Sequence, residues 1–225
     1  MYLKTDTKTI DFDNQEEVSK AYQEGYLLTR LGKERGVVNQ TRSIRINLEN
    51  FEFTSENRRV LRKTEDLELH LYELPYKNYS WEIHKMGKDF YDFVSGAGTM
   101  SASKIKSMFT KPEIENPSYV FVYKKGDEVV GYCLSYINDS IVHYSYPFYN
   151  LDLRDKNLGM GMILKALESS IDNKKKYFYL GSITTEKAKY KLQFKNLEWF
   201  DTEIKEWSSD IDDLKRIISA NSIGH

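Results

Sequence analysis

A single cysteine in 225 residues, Cys133, rules out an intrachain disulfide and a cysteine-rich zinc site. Within the apolar run Val129–Ile137 it reads as a small core residue. No apolar run approaches the roughly 18 residues that a membrane-spanning helix needs, and Met1–Asp6 carries no hydrophobic leader. A soluble, cytoplasmic protein with no membrane association is therefore expected. Charge of one sign is missing as well: 33 Lys and Arg stand against 34 Asp and Glu, so any RNA contact must come from local patches rather than from an overall field. The four histidines, His70, His84, His143 and His225, lack metal-ligand spacing, and no metal is expected. There is no Ser/His/Asp constellation, no internal repeat and no low-complexity linker.

Tyrosine, by contrast, is abundant at 17 copies, and its ring with a polar tip serves cores and wet binding faces alike. With 40% hydrophobic and 30% charged residues the composition is that of a globular protein, and the length suits one large domain or two small ones. The division expected is an N-terminal basic segment, residues 1–66, whose helix and strand pack onto a core of residues 67–225.

Glu16–Leu31 carries Val18, Ala21, Tyr22, Leu27 and Leu28 largely on one stripe, which predicts a helix closed by Gly32. Ser43–Leu48 alternates strictly, predicting a half-buried strand with Arg45 on its outer face. Thr54–Asn57 offers an N-cap for a helix containing Arg58, Arg59, Arg62 and Lys63. Those four charges in six residues suit phosphates, and equally a solvated helix face. Leu67–Tyr72 alternates again, and the amphipathic Trp81–Val94 stops at Gly96–Gly98. The short basic helix around Ser103–Phe109 offers little to pack, so disorder or ligand-dependent order is expected there. Ser118–Tyr123 and Glu128–Ile137 form a hairpin through Gly126-Asp127, and Ile141–Pro147 extends the meander. Asp210–Ala220 closes the chain as a helix with Ile211, Leu214, Ile217 and Ile218 inward.

The chemistry-bearing stretch is Asp139–Trp199. After the Ile141–Pro147 strand, Lys156-Asn157-Leu158-Gly159-Met160-Gly161-Met162 sets two glycines immediately ahead of the helical Ile163–Glu168 run. Such a turn exposes backbone N–H groups at the positive end of a helix dipole, which suits an anion or a developing oxyanion; a tight turn with no ligand is the plain alternative. The Tyr177–Gly181 strand follows, and then Lys187-Ala188-Lys189-Tyr190-Lys191, a tyrosine among three lysines. On a strand, Lys189 and Lys191 would share a face and Tyr190 would point away. His143, on the strand ahead of the glycines, reads as a satisfied structural histidine or as a general base. Asp152, Asp155 and Glu186 are candidate carboxylate bases that the sequence does not rank.

The glycine spacing is similar to the Arg/Gln-x-x-Gly-x-Gly/Ala pattern of GNAT acyltransferases, with Lys156 in place of the Arg or Gln. More of the chain resembles the arginyl- and leucyl-tRNA–protein transferases. Gly25–Leu28, the basic strand Arg42–Ile46 and the run Asn50–Lys63 resemble their N-terminal phrase, which passes through Phe-x-x-Ser to Arg-Arg-Val-Leu-Arg. Tyr177–Gly181 and Lys187–Phe194 look like the family's Tyr-Tyr-Leu-Gly and Lys-Met-x-Tyr-Lys-x-x-Phe blocks. The blocks keep the family's order. The family's cysteine cluster ahead of the basic strand, and its cysteine between Leu-Gly and Tyr-Lys, have no counterpart here.

The resemblance implies an α+β, GNAT-like fold with a mixed, mostly antiparallel sheet flanked by helices. It implies transfer of an amino acid from charged tRNA to the α-amine of a protein or peptide N-terminus, acidic in that family, by aminolysis of the ester. No cofactor is expected beyond aminoacyl-tRNA as co-substrate, and a monomer suffices. An α-ammonium of pKa about 7.7–8.0 needs little help to lose its proton, so positioning and oxyanion stabilisation carry the rate. On this reading Gly159 and Gly161 line the ester or the 3′-terminal phosphate, and Arg58, Arg59 and Arg62 hold RNA phosphates or an acidic acceptor residue. Lys187, Lys189 and Lys191 contact the acceptor stem, Tyr190 stacks on the terminal adenine or donates a proton, and His143 or Glu186 is the base. RNA recognition then requires the arginine helix and the lysines on one side of the domain. The competing expectation is an acetyl-CoA-dependent N-acetyltransferase, whose cofactor takes the glycine turn and has no use for the arginine helix. A non-enzymatic module that binds peptide or RNA is the third.

Overall fold

Two sheets organise the chain in the computed structural model, which describes residues 4–29, 35–153, 157–184 and 186–223. The N-terminal part supplies β1 (Asp6–Thr9), α1 (Gln15–Gln23), β2 (Tyr26–Leu28), β3 (Val37–Gln40), β4 (Ser43–Asn47) and α2 (Ser55–Lys63). Beyond it come β5 (Leu67–Glu73), α3 (Trp81–Ser95), α4 (Ala102–Thr110), β6 (Tyr119–Lys125), β7 (Glu128–Ile137) and β8 (Ile141–Tyr149). The chain closes with α5 (Leu158–Asp172), β9 (Tyr177–Ser182), β10 (Leu197–Asp201), β11 (Glu206–Ser208) and α6 (Ile211–Ile223). Strands β1-β3-β2 make a small sheet, and the other eight make a large one in the order β11-β10-β4-β9-β8-β7-β6-β5.

Among the described strands β8 and β9 pair in parallel and the other neighbours are antiparallel. The sheet is thus mixed and mostly antiparallel, as expected. A β6-β7-β8 meander, then α5, then parallel β9 is the GNAT-like order; the helix is needed because parallel neighbours cannot be joined by a hairpin. Strand β4 comes from the N-terminal segment yet lies inside the large sheet, between β9 and β10.

Alternation sends Ile44, Ile46, Val142, Tyr144, Phe178 and Leu180 to one face, where they pack with α2, α5 and α6 through Val60, Met162, Leu167, Leu214 and Ile218. The opposite face carries two separate cores. Val120, Val122, Tyr132 and Leu134 lie under α3 and α4, while Tyr136, Ile141 and Tyr179 lie under α1 and the small sheet. Helix α2 starts in a capping box: Thr54 Oγ1 accepts from the Asn57 N–H, and Asn57 Oδ1 accepts from the Thr54 N–H, each at 3.1 Å.

Several expectations are corrected. The predicted Glu16–Leu31 helix ends at Gln23, because Gly25 at φ 78° turns the chain into β2; a Cβ there would lie 2.2 Å from the Phe200 ring. Leu27 and Leu28 belong to that strand, not to the helix stripe, and Leu31 and Gly32 lie outside the described residues. Arg45 is not on an open face. It is 6% exposed, stacked between Tyr177 and Trp207 at 3.9 and 3.8 Å, and its Nε donates to Glu198 at 2.6 Å. The short helix expected to be poorly ordered is α4, and it buries Ile105, Met108 and Phe109 against the second core. Few large residues sufficed because three of them fall on one face.

Candidate functional site

Strands β8 and β9 stay together for three residue pairs and then part. Parallel pairing joins Ile141–His143 to Tyr177–Tyr179 and goes no further. At that level both strands bulge: Ser145 is the extra residue of β8, set between the Leu134–Tyr146 and Ser135–Tyr144 pairs, and Leu180 is the extra residue of β9. Gly181, at φ 79°, completes the second bulge. Bulges bend a strand and end its pairing, so a gap opens at the carboxyl ends of two parallel strands, the usual ligand end of such a pair.

Lys191 reaches into this gap. The segment expected to run as a strand is a 3-10 helix over Glu186–Leu192, which frees Lys191 and Tyr190 from opposite-face geometry. The Lys191 Nζ donates to the Ser182 carbonyl at 2.7 Å and forms no ion pair among the described residues. Burial alone pulls its pKa down to about 8, so at neutral pH it is a desolvated cation. A Cβ placed on Gly181 would lie 3.8 Å from Lys191 Nζ and 3.7 Å from His143 Nε2, so both groups flank that glycine.

His143 is 4% exposed, and its Nδ1 lies 2.8 Å from the Tyr22 hydroxyl. That hydroxyl oxygen also accepts the Leu28 N–H at 3.4 Å. Burial, and then the Lys191 charge, hold the imidazole pKa down at about 3. His143 is therefore a neutral ring on the other side of Gly181 from Lys191, near enough to feel its charge. Tyr190 exposes 44% of its surface, but burial of its hydroxyl raises its pKa and keeps the phenol protonated. Glu186 is exposed and bonded to Lys189 and to Ser219 Oγ; the Lys189 bond, the larger cause, lowers its pKa. It faces α6 rather than the gap. The Lys187 side chain, Asp155 and Lys156 lie outside the described residues, and Asp152 is exposed in the turn after β8.

The two glycines do not precede the helix but sit in the first turn of α5. Gly159 packs on the Tyr149 ring. The Gly161 amide donates to the Asn157 carbonyl at 2.7 Å, and a Cβ there would meet Thr64 at 2.8 Å, so close packing against the end of α2 is its local requirement.

Helix α2 bridges the site. Arg59 forks onto Glu56 and reaches Asn157 Oδ1 at 3.5 Å, next to the start of α5, while Asn57 Nδ2 donates to the Gln193 carbonyl at 3.4 Å, just past the lysine-bearing 3-10 helix. The arginine helix and the lysines thus share one side of the sheet. Arg58 donates to the Phe53 carbonyl, and Arg58, Arg62 and Lys63 are exposed with no ion pair among the described residues. A basic depression of about 360 Å³ lined by Glu49 and Lys174–Lys176 lies at the opposite end of β9 and plays no part in this site. Among the described residues no His, Cys, Asp or Glu group is placed to hold a metal, and no helix is long and apolar enough to cross a membrane. Tyr22 and Ser182 escaped sequence reasoning: one looks like a helix-stripe residue, and the other contributes only its carbonyl.

The family model described as arginine-tRNA-protein transferase, C terminus, matches residues 71–201, more than half of the chain. No curated protein is significantly similar in sequence. Among solved structures, L-PGS from Bacillus licheniformis is similar at 12% identity and a TM-score of 0.48, over 75% of this chain and 52% of that one. The C-terminal domain of a putative lysylphosphatidylglycerol synthetase from Agrobacterium fabrum gives the same values, and FemX gives 10% identity and 0.45 over 77% and 61%. The chain thus spans about half the length of the first two solved chains.

Proposed function

The chain belongs to the arginine-tRNA-protein transferase family, and from that premise we propose that it moves an amino acid from charged tRNA to the α-amine of a protein or peptide. The observation that carries this reading is Lys191: a desolvated ammonium with no ion pair among the described residues, held by the Ser182 carbonyl where two parallel strands part. Aminolysis of an ester passes through a tetrahedral oxyanion, and a fixed cation in a water-poor site stabilises that charge without having to reorganise. In the reaction the acceptor amine, once neutral, attacks the ester carbonyl. The carbonyl oxygen becomes the oxyanion held by Lys191; collapse breaks the ester C–O bond, the ribose oxygen leaves as a hydroxyl by taking the Tyr190 proton, the attacking nitrogen gives one of its protons back to Tyr190, and an amide remains.

His143 then acts as a positioning residue, whose neutral ring sets no further charge beside Lys191. The protonated Tyr190 phenol supplies a donor to the leaving oxygen. Arg58, Arg62 and Lys63 take phosphates of the acceptor stem, with Arg59 and Lys189 joining them by giving up weak, solvent-screened surface pairs. The first amides of α5, with Gly159 among them, face the 3′ end of the RNA. This reading implies a cytoplasmic protein acting as a monomer with aminoacyl-tRNA as its only co-substrate.

The test is a transfer assay with a pool of radiolabelled charged tRNAs and a peptide panel, run beside a reaction with labelled acetyl-CoA. Label passing from tRNA to a peptide amine, and lost in Lys191→Met, is the expected result. Label passing only from acetyl-CoA would overturn it in favour of an N-acetyltransferase.

A further inference from the structure

Strand β5 ends the large sheet. It pairs with β6 along all seven of its residues, Leu67–Glu73, without a bulge, and no described strand pairs with its other side. The direction of its backbone groups follows from the ladder. The Asn150 N–H donates to the Val130 carbonyl at 2.9 Å where β7 meets β8, and the Leu74 N–H to the Ser118 carbonyl at 3.0 Å just past the β5–β6 pairing. Along an antiparallel strand, residues bonded to one neighbour alternate with residues turned to the other. His70 and Tyr72 therefore bond to β6, while Leu69, Leu71 and Glu73 aim their N–H and C=O groups outward.

This edge has none of the features that blunt one. The strand contains no proline, no lysine and no bulge, whereas β11 at the opposite end of the sheet is only three residues long. Leu71 and Tyr72, 43% and 38% exposed, stand on its two faces. At its centre, His70 Nε2 is buried yet makes no hydrogen bond among the described residues, with the Glu68 carboxylate 3.5 Å away.

We propose that β5 pairs with β5 of a second copy of this chain, so that two sheets become one. The strand, Leu-Glu-Leu-His-Leu-Tyr-Glu, is complementary to itself. An antiparallel partner must set its own outward-turned residues opposite these, and the register that does so over all seven positions has its two-fold axis at His70. Leu69 then faces the partner's Leu71, Glu68 faces the partner's Tyr72, and Leu67 faces the partner's Glu73. No like charges are opposed, leucine meets leucine, and a phenol can donate to a carboxylate. Paired positions share parity, so each face of the sheet continues into the same face of the copy. A formal net charge of −1 sets little repulsion between two chains. The inference is independent of the aminoacyl-transfer reading: β8 stands three strands from β5, and each chain keeps a complete site and can act alone.

The experiment is disulfide trapping in the full chain, whose native Cys133 is buried. In this register the Cα of residue 70 lies about 4.5 Å from its copy, within disulfide range, whereas residues 69 and 71 are diagonal to theirs at about 7–8 Å. Under mild oxidation of the folded protein, His70→Cys is expected to form the covalent dimer at least ten-fold faster than Leu69→Cys or Leu71→Cys. Sedimentation equilibrium of the unmodified chain should show a monomer–dimer equilibrium. His70→Lys sets two like charges on the axis and should raise the dimer dissociation constant at least ten-fold; should it fail to fold by far-UV circular dichroism, Leu71→Lys carries the same expectation. A chain that stays monomeric up to its solubility limit overturns the proposal. So does cross-linking that is as fast at position 69 or 71 as at 70, or a dimer that neither lysine weakens.

Discussion

Replacing Lys191 by Met should stabilise the protein while abolishing transfer. Burial depresses the Lys191 pKa from its ordinary 10.5 to about 8, which corresponds to a folding penalty of up to about 3 kcal/mol for the charged amine. Met fills a similar volume without charge, but leaves the Ser182 carbonyl unmet at about 1 kcal/mol. A net gain of about 2 kcal/mol at pH 7 is expected, or roughly 4–8 °C in Tm for a chain of this length. The pH dependence is the sharper test. Because the folded pKa is lowered, the unfolded chain binds the extra proton between about pH 8 and 10.5, so wild-type stability rises across that window relative to the variant. The gap between the two melting curves should be full below pH 8 and close toward pH 10.5. The assay is thermal unfolding by circular dichroism at intervals from pH 7 to 10.5, with transfer activity measured on the same samples. A variant less stable than the wild type at pH 7, or a gap that ignores pH, would refute the picture of a functional cation held against a desolvation cost.

The buried imidazole gives a signature of the same sign in an acid window. Its folded pKa near 3 lies below the ordinary 6.5, so its contribution is complete above pH 6.5 and is lost as pH falls toward 3, by about 2 kcal/mol at pH 5; urea midpoints at pH 7 and 5 should show that loss in the wild type and a smaller one in His143→Asn. Gly161→Ala puts a Cβ 2.8 Å from Thr64, and its overpacking of about 1–3 kcal/mol should outweigh the helix-propensity gain of about 1 kcal/mol. Adding Thr64→Ala should recover most of it, and additive effects in the four-way denaturation cycle would count against the contact. Removing Arg58 and Arg62 together should flatten the log–log salt dependence of tRNA binding by about 1.4–1.8; an unchanged slope in filter binding would place the RNA elsewhere.

Local pattern was enough for most elements. Strict alternation gave the strand at Ser43, the Thr54–Asn57 run gave the capped helix α2, and Gly126-Asp127 gave the hairpin between β6 and β7. The site was half legible. The stretch from His143 to Lys191 stood out through its glycines, tyrosine and lysines, but their roles depended on contacts that no spacing reports. Gly161 reads as a phosphate turn until Thr64, nearly a hundred positions away, is seen against it. Lys191 reads as one of three surface lysines until the 3-10 helix points it at Ser182.

What the sequence determined by itself, then, was the order of elements and the family blocks, since periodicity, caps and turn residues act within a few positions of the chain. Only the tertiary structure decided which charges are solvated and which are not. Arg59 and Arg42 are the same residue type, yet one lies on a helix beside water while the other is enclosed where β4 meets β9. That difference is set by the strands and helices that close over a site, brought together from distant parts of the chain. It fixes the dielectric around each charge, and with it the chemistry the charge can perform.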